Sequence, residues 1–398
     1  MGTDILNKIK KEPVLAASAV CMLLSMLFVP PSATYISYID FRVLALLFCL
    51  MAVVAGLQRH GLFTWMAQRM LTGKKQLRTL FLLLILLPFF SSMLVTNDVA
   101  LITFVPFAIL ILSLTGQQEY MIFVIIMQTV AANLGSMATP VGNPQNLYLY
   151  SRFGLSAGAF FGVVLPCTLL TLPLLGVSVM LCPKKEVSVS LLETDTPLSS
   201  GQHAPRTALM LNNGCQAPPA ILMLNKKKIV LYLLLFVLCL LSVFHVLHYG
   251  ILLFIVCLAL FFADRSLYRS MDYGLLLTFV CFFVFAGNIG AIESVKMFLQ
   301  NLMADHPLFT AALASQVISN VPAAVLLSNF TTQWKALLLG TDIGGLGTPI
   351  ASLASLISFR LYMKTDRACA GKYLLWFSLV NFGGLVLLLL FAVCLKLA

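Results

Sequence analysis

The chain has 398 residues, 60% of them hydrophobic and only 10% charged, with a mean hydropathy of +0.99. Soluble domains carry about 25% charged residues, so a soluble globule is excluded, and apolar runs near the ~20 residues of a bilayer-spanning helix exclude a barrel of short strands. The net charge of +11 invites a nucleic-acid reading, but its placement along the chain argues for membrane orientation instead.

In chain order, Met1 to Lys11 is mostly polar, and no small-residue cleavage site follows the first apolar run, so no cleaved signal peptide is expected. The first crossing is expected at Val14–Phe28, before Pro30-Pro31, and the second at Val43–Leu57. Gly61–Leu71 reads as an amphipathic stretch at the inner surface with Trp65 as an interfacial anchor. Two apolar arms, Leu80–Val95 and Val99–Leu114, meet at Thr96-Asn97-Asp98 and read as a re-entrant hairpin. The third crossing, Tyr120–Tyr150, is interrupted over Gly135–Pro144, and the fourth is Ala157–Leu181. A Ser-, Thr-, Pro- and Asn-rich linker, Pro183–Lys228, is too polar to span and is expected to be poorly ordered on the inner side. Beyond it come crossings at Ile229–Val246, Ile251–Phe262 and Leu275–Ile289, then an interfacial stretch, Ala291–Met303. A second hairpin bends at Ser319-Asn320, a broken crossing at Ala336–Leu361 carries Gly344–Pro349, and Tyr373–Leu395 crosses last.

With Lys8, Lys10 and Lys11 placed inside, these crossings put every basic residue inside except Arg42, Arg152, Lys296, Lys335 and Lys396. That is the positive-inside bias. It sets a cytoplasmic N-terminus and an outside C-terminus, and implies no nucleic-acid partner. The ten cysteines are scattered without CxxC spacing, so neither a disulfide framework nor a zinc site is expected.

The two halves repeat each other. Thr96-Asn97-Asp98-Val99-Ala100 reappears as Ser319-Asn320-Val321-Pro322-Ala323, and Asn133–Pro140 as Asp342–Pro349. Phe48–Gly56 lines up with Phe279–Gly287, on crossings that run in opposite directions. The expected fold is therefore an all-α polytopic membrane protein of two inverted repeats, residues 1–182 and 229–398, joined by a cytoplasmic linker, 183–228. Each repeat would contribute a re-entrant hairpin and a broken transmembrane helix. Polar backbone at membrane depth is tolerated only inside protein or beside a water-filled cavity, and such paired breaks mark the site of a secondary transporter.

Glycine and proline free backbone groups at the breaks, while Asn, Ser and Thr add oxygens. Half-helix N-termini attract anions, and half-helix C-termini with unwound carbonyls suit Na⁺. The candidate substrate and ion residues are Thr96, Asn97, Asp98, Asn133, Gly135, Thr139, Pro140, Gly142, Asn143 and Asn146 in the first half. Ser319, Asn320, Asp342, Gly344, Thr348, Pro349 and Ser352 are their counterparts in the second, with Na⁺ assigned to Thr96, Asn97, Ser319 and Asn320. Simple helix caps at the hairpin tips and simple proline kinks at Thr139-Pro140 and Thr348-Pro349 are the plainer alternatives. Asp98 and Asp342 bring one acid per repeat, at non-equivalent places, for cation coordination or proton carriage. The plainer role for them is stabilising a helix N-terminus. No Lys or Arg falls inside a motif, which keeps a cation antiporter open beside an anion carrier. No nucleotide-binding GxxxxGK[ST], no HExxH and no Ser–His pairing is present, so neither an enzyme nor a cofactor is expected; an intramembrane hydrolase with Ser91-Ser92 near Asp98 is a distant alternative.

Val95-Thr96-Asn97-Asp98, Gly142-Asn143-Pro144-Gln145-Asn146 and Ser319-Asn320-Val321-Pro322 make the chain resemble the ion transporter superfamily, in particular its citrate-transporter-like permeases. These include the divalent anion/sodium symporters and the arsenite-pump permeases. The resemblance implies a scaffold part and a moving transport part, elevator-like alternating access and a homodimer. It implies Na⁺- or H⁺-coupled transport of a small anion such as a di- or tricarboxylate across a plasma membrane, the bacterial inner membrane. The symporters carry Ser-Asn-Thr at both tips, whereas Thr96-Asn97-Asp98 is more similar to the arsenite and Na⁺/H⁺ antiporter branches, which sets efflux or antiport as the alternative.

Overall fold

The computed structural model describes residues 13–71, 73–189 and 225–397. Helix dominates because the chain must satisfy its own backbone hydrogen bonds wherever water is absent. In the first half these helices are α1 (Pro13–Met26), α2 (Thr34–Tyr38), α3 (Phe41–Arg59), α4 (Leu62–Leu71), α5 (Leu77–Ser92), α6 (Asn97–Leu114), α7 (Met121–Ser136), α8 (Pro144–Arg152) and α9 (Ala157–Met180). The second half adds α10 (Lys226–Val243), α11 (Tyr249–Ala263), α12 (Leu267–Ser270), α13 (Tyr273–Ala291), α14 (Glu293–Asp305) and α15 (Pro307–Ile318). It ends with α16 (Asn320–Leu327), α17 (Trp334–Ile343), α18 (Leu353–Tyr362) and α19 (Ala370–Cys394). Among the described residues six helices are long and apolar enough to cross a bilayer: α3, α6, α7 with the 3₁₀ turn before it, α9, α13 and α19. The chain is a polytopic integral membrane protein. Shorter apolar helices among the described residues are α1, α5, α11, α15 and α18.

The elements follow the expected order, with two amendments. Gly73–Gln76 (β1) pairs antiparallel with Glu186–Val189 (β2), Gly73 opposite Val189 and Gln76 opposite Glu186, and Leu77 N–H extends the ladder to Lys185 O at 2.7 Å. The chain is therefore not purely helical. Both strands sit at helix ends outside the apolar runs, where two extended connectors can share their backbone groups. The segment expected to be a disordered linker thus begins with a paired strand, and it ends at Asn225, whose Oδ1 accepts from Lys228 N–H as the α10 cap. The linker residues 190–224, and Lys8, Lys10 and Lys11, lie outside the described residues.

Packing repeats between the halves. Helix α5 packs on α7 as α15 packs on α17, and α6 lies on α18 as α16 lies on α8. The flanking helices cross over: α3 packs on α10, and α13 on α1. Two aligned glycines make the crossed contacts close. A methyl at Gly56 would run into the Tyr232 ring from α10, and one at Gly287 into the Tyr38 ring of α2.

At one end of this scaffold Asp264 gathers three elements. Its carboxylate accepts from Lys228 Nζ at 2.8 Å, His60 Nε2 at 2.9 Å and the Tyr232 hydroxyl at 3.0 Å. Burial works to raise this carboxyl, but those hydrogen bonds outweigh it and hold Asp264 below the usual carboxylate range.

Candidate substrate and ion site

Both broken crossings are true interruptions rather than kinks. Helix α7 stops at Ser136 and α8 starts at Pro144, while α17 stops at Ile343 and α18 starts at Leu353. The hairpin arms α5 and α6 are parted by residues 93–96, whereas α15 and α16 abut at Ser319–Asn320. Neither Thr96 nor Ser319 caps its helix with a side-chain hydrogen bond, so capping by these hydroxyls fails.

The same bonds lock each hairpin tip to the break of its own half. Thr139 Oγ1 donates to Met93 O, and Thr348 Oγ1 to Gln316 O at 3.0 Å. Asn97 N–H donates to Gly142 O at 3.3 Å, and Asn320 N–H to Ala351 O at 3.0 Å. Asn97 Oδ1 accepts from Asp98 N–H, and Asn320 Oδ1 from Val321 N–H. The hairpin residues of each pair are offset by 223 and the break residues by 209, so these hydrogen bonds repeat as the motifs do. Close approach explains the glycines. A methyl at Gly135 would collide with Phe89 O, and one at Gly142 with Ser136 O, both backbone atoms that cannot step aside.

The two breaks also meet each other. Asn133 Oδ1 accepts from Asn97 Nδ2 at 2.9 Å and from Ser352 Oγ at 3.2 Å, and its Nδ2 reaches Gly345 O at 3.5 Å. Asp342 Oδ1 accepts from Asn143 Nδ2 at 3.3 Å and from Gln145 Nε2 at 3.4 Å. Asn143 Nδ2 also reaches Ser136 Oγ. All of these side chains are buried. Asn320 is brought to the junction as well, since its amide would lie 3.0 Å from a methyl built on Gly345.

Other expected residues brace their own half. Thr139 and Thr348 spend their hydroxyls on the hairpins, Asn146 Nδ2 donates to Met137 O and Thr139 O, and Gly344 O accepts from Gln316 Nε2 at 2.8 Å. Pro140 is buried and Pro349 half-buried within the interruptions. Ser319 Oγ donates to Ala351 O at 3.2 Å.

A cavity of about 430 Å³ runs up to this junction between α1, α3, α6, α8, α13 and α18. Its polar lining is Gln58, Thr96, Asp98, Asn143, Asp272, Thr278 and Arg360, in otherwise aliphatic walls. The first hairpin tip thus faces open space, while Ser319, Asn320 and Asp342 lie behind it. Asp98 is half-buried in the first turn of α6, where the helix dipole favours its charge. Asp342 is in the last turn of α17, where the dipole opposes it.

Sequence reading missed three contributors. Asp272 and Arg360 lie outside every motif and reach the cavity only through the packing of α13 and α18. Gln316 braces the second break with bonds to Gly344 O, Leu346 O and Thr348 N–H. A lone amide three residues before the Ser-Asn tip was the available signal for it. Among the described residues no cluster of three His, Cys, Asp or Glu could hold a metal.

Comparison with known proteins identifies the family. The chain is 30% identical over 360 residues to the uncharacterized transporter MJ0456 of Methanocaldococcus jannaschii, covering 89% of this chain and 90% of that one. It is 29% identical over 364 residues to the inner membrane protein YbiR of Escherichia coli, covering 88% and 89%. A shorter stretch of 133 residues is 31% identical to the silicon efflux transporter LSI3 of rice, covering 33% and 27%. These relatives are carriers or membrane proteins rather than enzymes. Residues 5–336 match the citrate transporter family, and the chain belongs to that family.

Proposed function

We propose that this protein is a secondary active transporter whose two inverted repeats form one shared site, where Na⁺ or H⁺ drives a small oxygen-rich solute by alternating access. The observation that carries it is the junction itself. Two interrupted helices and two hairpin tips, held by matching hydrogen bonds, meet through Asn133 and Asp342 at the end of a one-sided cavity. Opposed re-entrant hairpins account for the repeated bonds and for the crossed packing of α3 on α10 and α13 on α1. The basic clusters favour a cytoplasmic side for the N-terminus, the 183–228 linker and the mouth bearing Asp272 and Arg360, in what we take to be a bacterial inner membrane. In that frame the cavity is the inward-open half of the cycle. Thr96, Asn97, Ser319 and Asn320 hold the solute beside the coupling cation, and Asp98 and Asp342 supply the charge for coupling.

The cavity lining bears on the substrate. Its fixed charges are two carboxylates, Asp98 and Asp272, and one guanidinium at the exposed mouth, Arg360. A di- or tricarboxylate entering would face Asp98 with no cation at depth, whereas a small weak oxyacid in its neutral, hydroxyl-bearing form would not. Efflux of such an oxyacid in exchange for the cation is therefore the favoured reading, in line with the silicon efflux relative and with the putative transporter arsB of Dictyostelium discoideum, 28% identical over 152 residues. Symport of a carboxylate with a co-bound cation is the second reading, favoured by the citrate family match. Proteoliposomes loaded with arsenite, silicic acid or citrate, with Na⁺ and pH gradients imposed separately, test it. Gradient-dependent accumulation of an oxyacid is the expected result; movement of citrate alone would select the second reading, and movement of none of the three would remove the substrate class.

A further inference from the structure

The two breaks are geometrically equivalent but chemically unequal. By the offset of the break residues Asn133 matches Asp342, each in the last turn of its half-helix, and Asn143 matches Ser352, each at the N-cap of the helix that follows. The contacts between them cross over. Ser352 Oγ donates to Asn133 Oδ1 at 3.2 Å, and Asn143 Nδ2 donates to Asp342 Oδ1 at 3.3 Å. The junction is therefore a pair of half-sites, each built from a helix C-terminus of one half and a helix N-terminus of the other.

In the first half-site the central group is neutral and complete. Asn133 Oδ1 takes two donors and its Nδ2 has a carbonyl in reach. In the second it is neither. Asp342 is only 3% exposed, Oδ1 takes Asn143 and Gln145, the Asn146 side chain also lies against the carboxylate, and Oδ2 has no hydrogen bond of normal geometry. No cationic side chain pairs with it among the described residues, and the negative end of α17 adds to the cost of an ionised acid there. Asn146 Oδ1, one turn beyond Asn143, is likewise buried without a partner. An orphaned carboxylate oxygen at the C-terminal end of α17 makes a place for a positive charge. Asp98 is no equivalent, since it faces the open cavity from a helix N-terminus that already favours its charge.

Resting on the secondary-transport reading above, we propose that the protein carries one monovalent cation per cycle, held at the free Oδ2 of Asp342, and that the matching place at Asn133 carries none. Na⁺ would take hard oxygen ligands there, and H⁺ would neutralise the same atom; both supply the one charge the half-site lacks. Had both central groups been acids, two cations would be needed; had both been amides, none.

The full-length protein in detergent is dialysed against ²²Na⁺, and infrared difference spectra across a pH titration report any neutral buried carboxyl. The expected result is one Na⁺ per chain, or one buried carboxyl band. That signal disappears in Asp342→Asn, which keeps shape and the Oδ1 acceptor, and persists in Asp264→Asn, outside the junction. Two ions per chain in the unmodified protein would overturn the proposal without reference to any variant. So would a signal that survives Asp342→Asn, or the absence of both signals. Proteoliposomes separate this from the parent reading: one ion at Asp342 with no gradient-driven solute movement removes the transport reading, whereas equal accumulation by the unmodified protein and Asp342→Asn removes the ion assignment alone.

Discussion

Replacing Asn133 by Ala should loosen the junction between the halves by an amount that can be worked out. The substitution deletes the acceptor shared by Asn97 Nδ2 and Ser352 Oγ, donors that are 5% and 1% exposed and for which no other side-chain acceptor is in reach. A buried donor left without a partner costs about 1–3 kcal/mol, which would give about 2–6 kcal/mol for the two. The reference state lowers that. A membrane protein denatured in lipid or micelle keeps its helices, and its polar groups find other partners, so interhelical bonds there average about 0.6 kcal/mol and reach about 1.7. The expected loss is therefore near the bottom of the range, about 2–3 kcal/mol, with the bond to Gly345 O too long to add much. Reversible denaturation in mixed micelles, followed by near-UV circular dichroism, measures it for Asn133→Ala, Ser352→Ala and the double variant. Because Ser352→Ala removes one of the stranded donors, the double variant should be about 1 kcal/mol more stable than the sum of single losses predicts. Asn133→Ala within about 0.5 kcal/mol of the parent protein, or strict additivity, would refute the claim that this amide joins the breaks.

Asn97→Ala and Asn320→Ala are each expected to abolish solute movement in proteoliposomes while the protein still elutes as a folded monodisperse species; full activity in both would remove the hairpin tips from the site. Ser319→Thr should cost about 1–2 kcal/mol in the same denaturation assay, because Ser319 sits at φ 72° and ψ 155°, a conformation that a β-branched side chain resists. Thr96→Ser, at φ −64°, should stay within about 0.5 kcal/mol. The Asp264 cluster predicts acid sensitivity. A carboxyl held low in the folded protein contributes stability that is full above its unfolded pKa, near 3.9, and is lost as pH falls through the folded value. Unfolding midpoints should therefore drop on acidification through and below about pH 4, and Asp264→Asn should flatten that drop; an unchanged acid limb would show that the three donors do not depend on this charge.

The amino-acid sequence alone determined that the protein is a helical membrane protein and where its long helices are interrupted. These are local matters. Apolar run length sets a crossing, clustered glycine, proline and polar residues stop a helix where the lone Pro88, Pro106, Pro166 and Pro173 do not, and a motif written twice announces a repeat without any knowledge of packing. The β1–β2 ribbon was missed because Gly73–Gln76 carries no strand pattern and the alternation of Glu186–Val189 is only four residues long, so the pairing depends on two helix ends that bring the segments side by side. Tertiary structure also decided everything that depends on which atoms meet across the halves. The sequence grouped Asn133 with Thr139 and Asp342 with Thr348, whereas the fold pairs Asn133 with Ser352 and Asp342 with Asn143. It turned the two threonines toward their hairpins and brought Asp272, Arg360 and Gln316 to the site from outside the motifs. A hydrogen bond's partner is fixed by the crossing of distant helices, and that distance in the chain is what no local pattern encodes.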